Sequence, residues 1–190
     1  MSILLLFPDK IYACRDKFGR TPIIIGSKKG ANCAVFESSS FVNLGFKYVK
    51  DLGPGEIVSI TAENIVQEKA PGTKKRVCSF LWTYYGYATS TYEGINVEEM
   101  RYRCGKILKQ NDSIEADAVT GVPDSGIAHA IGYANEAHIP YIRPLIKYTP
   151  TYARSFTPQS QTEREFVARK KLIPVKELIK DQRLLLIDDS

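Results

Sequence analysis

Two acidic side chains at the end of an apolar run are the sharpest chemical signal in this 190-residue chain. Residues 184–187 are four large apolar residues, the pattern of a strand buried on both faces, and Asp188, Asp189 and Ser190 follow at its carboxyl end. In open parallel sheets, ligands gather at that edge. Adjacent carboxylates repel each other and gain nothing from burial unless a cation or a hydroxyl donor meets them. Sugar hydroxyls and a magnesium ion both suit, because hard cations take oxygen ligands. The competing reading is an acidic surface turn.

A second signal is GVPDSG at 121–126, between an apolar run at 118–122 and a helical pattern. Asp124 or Ser125 can cap that helix, and Gly126 lets the backbone come close to a ligand. Free amides and the dipole at a helix start favour a phosphate. Plain capping without a ligand is the alternative. A third signal is a basic stretch. Residues 143–171 hold seven basic side chains, Lys147 and Arg154 among them, against Glu163 and Glu165. Seven minus two is +5, the net charge of the whole chain. Pro150 and Pro158 forbid one continuous helix there, so the stretch reads as a flap closing over an anion or as an exposed connection. A ligand with phosphates at two positions and hydroxyls between them would use all three segments.

The elements that must position these residues fall into two halves. The first shows short apolar or alternating runs at 3–7, 11–14, 23–25, 34–36, 57–60 and 65–67, separated by turn signals such as Gly53-Pro54-Gly55. These predict an antiparallel sheet. One short helix is expected after Ser38–Ser40, with hydroxyls capping its start and Gly45 ending it. Residues 69–76 (KAPGTKKR) read as a linker, which divides the chain into domains at 1–75 and 76–190. In the second half, Val97, Met100, Cys104, Ile107 and Leu108 recur at helical spacing. A strand follows at 118–122, then a helix carrying Ile127, Ala130, Ile131 and Ala134 on one face. Another strand is expected near 141–146, a basic and partly helical segment over 161–172, and the last strand at 184–187. Alternating helix and strand predict a doubly wound parallel sheet, so the chain as a whole is α/β plus α+β.

Bulk properties narrow the classes. The composition, 44% hydrophobic and 25% charged, is that of a globular chain and excludes disorder over most of its length. Cys14, Cys33, Cys78 and Cys104 form no CxxC and no zinc spacing, which predicts a reducing cytoplasm. The opening apolar run is too short for a signal peptide, and no stretch reaches membrane-span length. His129 and His138 are expected to pack or cap the helix rather than to react. Trp82, Tyr84, Tyr85 and Tyr87 are expected to pack between domains.

Several segments resemble the glutamine-dependent amidophosphoribosyltransferase family. GVPDSGIAHAIGYANEAHIPYIRPLIKY (121–148) is similar to its loop, helix and strand leading into the catalytic flap. RSFTPQSQTEREFVARKKL (154–172) is similar to the flap and following helix, and LLLIDDS to the start of the motif that binds phosphoribosyl diphosphate (PRPP). Residues 78–108 resemble the family's linker and first transferase helix, while 14–26 and 36–60 resemble the last part of its class II glutaminase domain. The resemblance covers nearly the whole chain in the family's order.

The resemblance implies that 1–75 is the end of an Ntn-type glutaminase sheet domain and 76–190 the first half of a type I phosphoribosyltransferase domain. Ammonia from glutamine would displace diphosphate from C1 of PRPP, giving 5-phosphoribosylamine for purine synthesis. Lys147 and Arg154 would be catalytic, and Asp188, Asp189, Ser190, Asp124 and Gly126 would bind PRPP. Ser125, Asp188 and Asp189 would hold Mg2+. Cys78 matches a position that ligates an iron–sulfur cluster in some members. A homo-oligomer is implied, with no nucleic acid or membrane partner. The resemblance also implies an internal fragment, beginning after the catalytic cysteine and ending before the 5-phosphate loop, and therefore inactive alone. The chain departs from the family pattern in its flap, with one extra residue before Arg154 that shifts Tyr152. RDKFGRTPI also lacks a basic residue just before the proline. The rival functions are a PRPP-sensing regulatory protein and a salvage phosphoribosyltransferase.

Overall fold

The computed structural model describes residues 1–150 and 157–189. The chain forms two compact units, Met1–Met100 and Arg101–Ser190. Residues 77–100 go with the first unit, because Leu81, Tyr92 and Val97 pack in one cluster with Ile24 and Phe41. The packing division therefore falls later than the polar linker at 69–76.

The first unit contains β1 (Ile3–Leu6), β2 (Ile11–Cys14), β3 (Ile24–Lys28), β4 (Ala31–Val35), α1 (Ser39–Leu44), β5 (Lys47–Asp51), β6 (Ile57–Ile60) and β7 (Ile65–Lys69). A single π-turn at Leu81–Tyr85 and the short pair β8 (Thr91–Tyr92) and β9 (Ile95–Asn96) follow. Antiparallel strands form a sheet in the order β1-β2-β6-β7 and another in the order β4-β3-β5. Ile23 and Ile25 pack with Ala13, Val58 and Ile60, so the two sheets share a core. Ile24, on the opposite face of β3 by the two-residue period of a strand, joins the cluster with Phe41 and Tyr92.

Helix α1 ends at Gly45 as expected, in the left-handed conformation at φ 69°. Its start differs from expectation. Ser38 makes no capping bond; its hydroxyl accepts from Thr91 N–H at 2.7 Å and is 3.2 Å from Thr91 O. The serine ties α1 to β8 instead.

Helix α2 (Val97–Gln110) runs from the first unit into the second. The second unit continues with β10 (Ala118–Gly121), α3 (Gly126–Ala137), β11 (Leu145–Lys147), α4 (Gln161–Lys171), β12 (Leu172–Pro174), α5 (Lys176–Ile179) and β13 (Leu184–Ile187). Strands β10 and β13 pair parallel, Gly121 opposite Ile187, and Tyr141 bridges parallel to Val119 on the other side. The expected strand near 141–146 is split into that bridge at Tyr141 and β11, which begins at Leu145, because Pro144 between them supplies no N–H. β11 then pairs antiparallel with β12. The described residues thus show a mixed α/β architecture with several sheets, and their parallel part is β10, β13 and the Tyr141 bridge.

Helix α3 covers the parallel pair. Ala130, Tyr133 and Ala134 pack with Val119 and Ile187. Its partner face on α2 is not the apolar stripe that the spacing suggests. Ile107 and Leu108 are exposed, whereas Arg101 and Gly105 are buried. Gly105 lies against the His129 carbonyl and Gly132 against the Tyr102 carbonyl, so the helices meet backbone to backbone through their glycines. His138 caps α3 in the left-handed conformation and His129 is buried, in line with packing roles for both. Trp82 stacks edge-on against Tyr92 with ring centroids 6.0 Å apart, while Tyr85 and Tyr87 are exposed. Among the described residues, no helix is long and apolar enough to cross a membrane.

Candidate functional site

The site is built on the carboxyl edge of β10 and β13. All four residues of β10 are buried, which follows from its position between α3, β13 and the Tyr141 bridge. Leaving β10, the chain stays attached to β13 for one more residue, Val122 N–H donating to Ile187 O at 2.8 Å. It then turns through Pro123, Asp124 and Ser125 into α3. The turn is close to the strand end because of two glycines. A Cβ on Gly126 would sit 2.5 Å from Ile187 O, and one on Gly121 would sit 2.5 Å from Gly126 O. Only glycine permits that approach.

The sequence reading offered Asp124 or Ser125 as the helix cap, and neither serves. Ser125 occupies the N-cap position without a capping bond, and its hydroxyl donates to Asp189 Oδ1 at 2.8 Å. Asp124 is engaged by Lys147, whose Nζ donates to Asp124 Oδ2. The helix-start amides are partly spent as well: Gly126 N–H reaches Val122 O at 3.0 Å and Ile127 N–H reaches Asp124 O at 3.4 Å. A bound anion would therefore rely on side chains and the helix dipole more than on these two amides.

One turn thus draws together Asp124, Ser125, Gly126, Lys147 and the acidic end of β13 with Asp188 and Asp189. Arg154 and Ser190 lie outside the described residues. Asp189 Oδ2 is buried and has no hydrogen-bond partner among the described residues. A buried carboxylate oxygen without a partner costs stability unless a ligand supplies one. A cation or a sugar hydroxyl meets that need. The Ser125 hydroxyl and the Asp189 carboxylate stand together there, and both are oxygen ligands of the kind that hard cations take. Cys78 is exposed, and among the described residues no group of three or more His, Cys, Asp or Glu side chains is placed to hold a metal ion.

The first unit also contains a feature with little local sequence signature. A cavity of about 420 Å³ is lined by Ser38, Phe41, Phe46, Tyr48, Asp51 and Thr91, among others. Tyr48 hydroxyl donates to Asp51 Oδ2 at 2.9 Å, and Asp51 Oδ1 is buried with no hydrogen-bond partner among the described residues. Burial pushes the Asp51 carboxyl above its ordinary range, helped by the nearby Glu93 charge. The only sequence trace is an acid three residues after Tyr48, just ahead of the glycine turn at 53–55. Nearby, the buried Arg15 guanidinium donates to the Gly19 carbonyl at 2.5 Å and pairs with Glu93 at 2.6 Å.

A raised carboxyl binds more protons folded than unfolded. Its ionised form therefore costs stability as pH rises above the ordinary value of 3.8. Asp51→Asn is expected to raise the melting temperature at pH 7 and to flatten its pH dependence above that value. Thermal melts at several pH values check this, and a lower melting temperature for the variant at pH 7 would refute it.

A turn at a helix start is thus hydrogen-bonded to an acidic strand end and bordered by a lysine. Comparison with known proteins specifies the relatives. The chain is 35% identical to the amidophosphoribosyltransferases of Methanocaldococcus jannaschii and Bacillus subtilis, each over its whole length. It covers 43% and 40% of those two proteins. Among solved structures, the glutamine PRPP amidotransferase of B. subtilis, complexed with ADP and GMP, superposes with a TM-score of 0.88 at 35% identity. This chain is covered completely and 42% of that one. A second, described as the allosteric regulatory enzyme of purine biosynthesis, superposes at 0.86 with 36% identity, over 98% of this chain and 40% of that chain. No family model matches. The chain is therefore similar to amidophosphoribosyltransferases along its whole length, and it spans about two fifths of the curated relatives it matches.

Proposed function

We propose that the chain carries part of an amidophosphoribosyltransferase, with residues 1–75 from the end of a class II glutaminase sheet domain and residues 76–190 from the first half of a type I phosphoribosyltransferase domain. In this reading the second unit binds PRPP, and the protein transfers ammonia from glutamine to C1 of its ribose with release of diphosphate. The observation that carries the reading is the Ser125–Asp189 hydrogen bond at 2.8 Å, which joins the phosphate-type turn to the acidic strand end on one edge.

Asp188, Asp189 and Ser125 would hold the magnesium ion, which when bound neutralises charge on the diphosphate. Displacement at C1 builds positive charge on the ribose ring and negative charge on the leaving group. The Asp188 and Asp189 carboxylates orient the ribose hydroxyls and lie where the positive charge develops. Lys147, with Arg154, meets the negative charge on the departing diphosphate. Asp124 and Gly126 shape the turn that receives it.

Calorimetric titration of PRPP with Mg2+ into the intact protein tests the proposal. Magnesium-dependent binding that Asp189→Asn removes is the expected result. A protein that takes up no PRPP with magnesium present would overturn it.

A further inference from the structure

Adjacent residues of the GVPDSG turn reach different segments. Ser125 holds the acidic end of β13, while Asp124 holds Lys147 at the end of β11. The second contact engages the cation that the anion needs. We propose that the Asp124–Lys147 ion pair is a partner-exchange latch, which makes the site accept a diphosphate group preferentially together with a divalent cation. The inference rests on reading this site as one for a metal-complexed sugar diphosphate.

If a free diphosphate draws Lys147 away, the Asp124 carboxylate loses its partner and faces new negative charge. If a cation arrives with the diphosphate, Lys147 passes to the anion and Asp124 gains a positive neighbour. Asp124 then keeps a positive neighbour when Lys147 leaves it. Cation and anion raise each other's affinity by the same factor, as linkage requires. The pair is solvent-accessible, with side-chain exposures of 35% for Lys147 and 65% for Asp124, so water screens it and the effect is modest. Exposure also means that neither residue supports the core, and substitutions there leave the fold intact.

Inorganic diphosphate is titrated calorimetrically into the intact protein, with and without Mg2+. The variants are Asp124→Asn, Lys147→Gln and their combination, with Asp124→Ser as a second probe of the same position. Asp124→Asn and Asp124→Ser are each expected to raise metal-free affinity about three- to five-fold, the range set by an exposed ion pair. The enhancement by magnesium should fall by a similar factor. In the Lys147→Gln background the gain should be clearly smaller, because no pair remains to be broken. An equal gain in both backgrounds would show Asp124 acting only through its field and would overturn the latch. So would no gain at all. If the wild type bound diphosphate under neither condition, the underlying reading of the site would fail instead.

Discussion

Asp189→Asn is expected to cut PRPP-dependent diphosphate release by about 100- to 1,000-fold, the usual loss when one group aimed at developing charge is removed. The substitution is nearly isosteric. Its side-chain oxygen can still accept the Ser125 hydroxyl, so the 2.8 Å contact survives and the turn stays in place. What disappears is the negative charge, together with the buried, unpartnered Oδ2 that would meet a cation or a ribose hydroxyl. The loss should therefore fall on turnover and on magnesium-dependent binding, while the ligand-free protein should be no less stable than wild type, because a charge no longer lies buried without a partner. Steady-state kinetics beside a thermal melt separate the two effects. Turnover within a few-fold of wild type would remove Asp189 from the site.

The second large effect belongs to the helix crossing behind the site. Alanine at Gly132 would place its Cβ 2.1 Å from the Tyr102 carbonyl oxygen, and alanine at Gly105 would place it 1.9 Å from the His129 carbonyl oxygen. Backbone atoms cannot rotate away as a side chain can. The helices must separate, at about 3 kcal/mol, the upper end of overpacking costs. Alanine's better helix propensity returns about 1 kcal/mol. Overpacking wins, and each variant should lose about 2 kcal/mol in denaturant unfolding, the difference between the two. Because both glycines serve one crossing, the double variant should lose less than the sum. A stabilised Gly132→Ala protein would mean that the helices do not meet in this way.

How far the sequence revealed this arrangement depended on what each segment displays. The strands at Ile11–Cys14 and Ile57–Ile60 follow from the apolar runs at those positions, because each buries its side chains against a second sheet. β5 (KYVKD) was invisible, since its first three residues are exposed and its composition is polar. The α2 face was misread because apolar spacing marks where side chains pack, whereas here the contact is made by a residue without one. The turn and the acidic strand end were legible because their chemistry is local: glycine, proline and carboxylates in short runs. The Asp51 cavity was not. Its Tyr48 partner is a near neighbour, but its walls come from Ser38, Phe41 and Thr91, which only the folded chain brings together. The same limit concealed the Ser125–Asp189 contact, made across 64 residues of chain. Sequence could state that both groups belong at one edge of a sheet, but not that the serine would spend its hydroxyl on the aspartate.

The backbone approach at Gly121 and Gly126 has a consequence for how this region tolerates change. In a saturation library sorted first for folded protein and then for activity, positions 121 and 126 should be intolerant in the first sort, since any side chain meets main chain at about 2.5 Å. Positions 124 and 125, between them, should accept many residues in the first sort and few in the second. Framework and chemistry are thus interleaved within six consecutive residues, and the two selections would tell them apart one residue at a time.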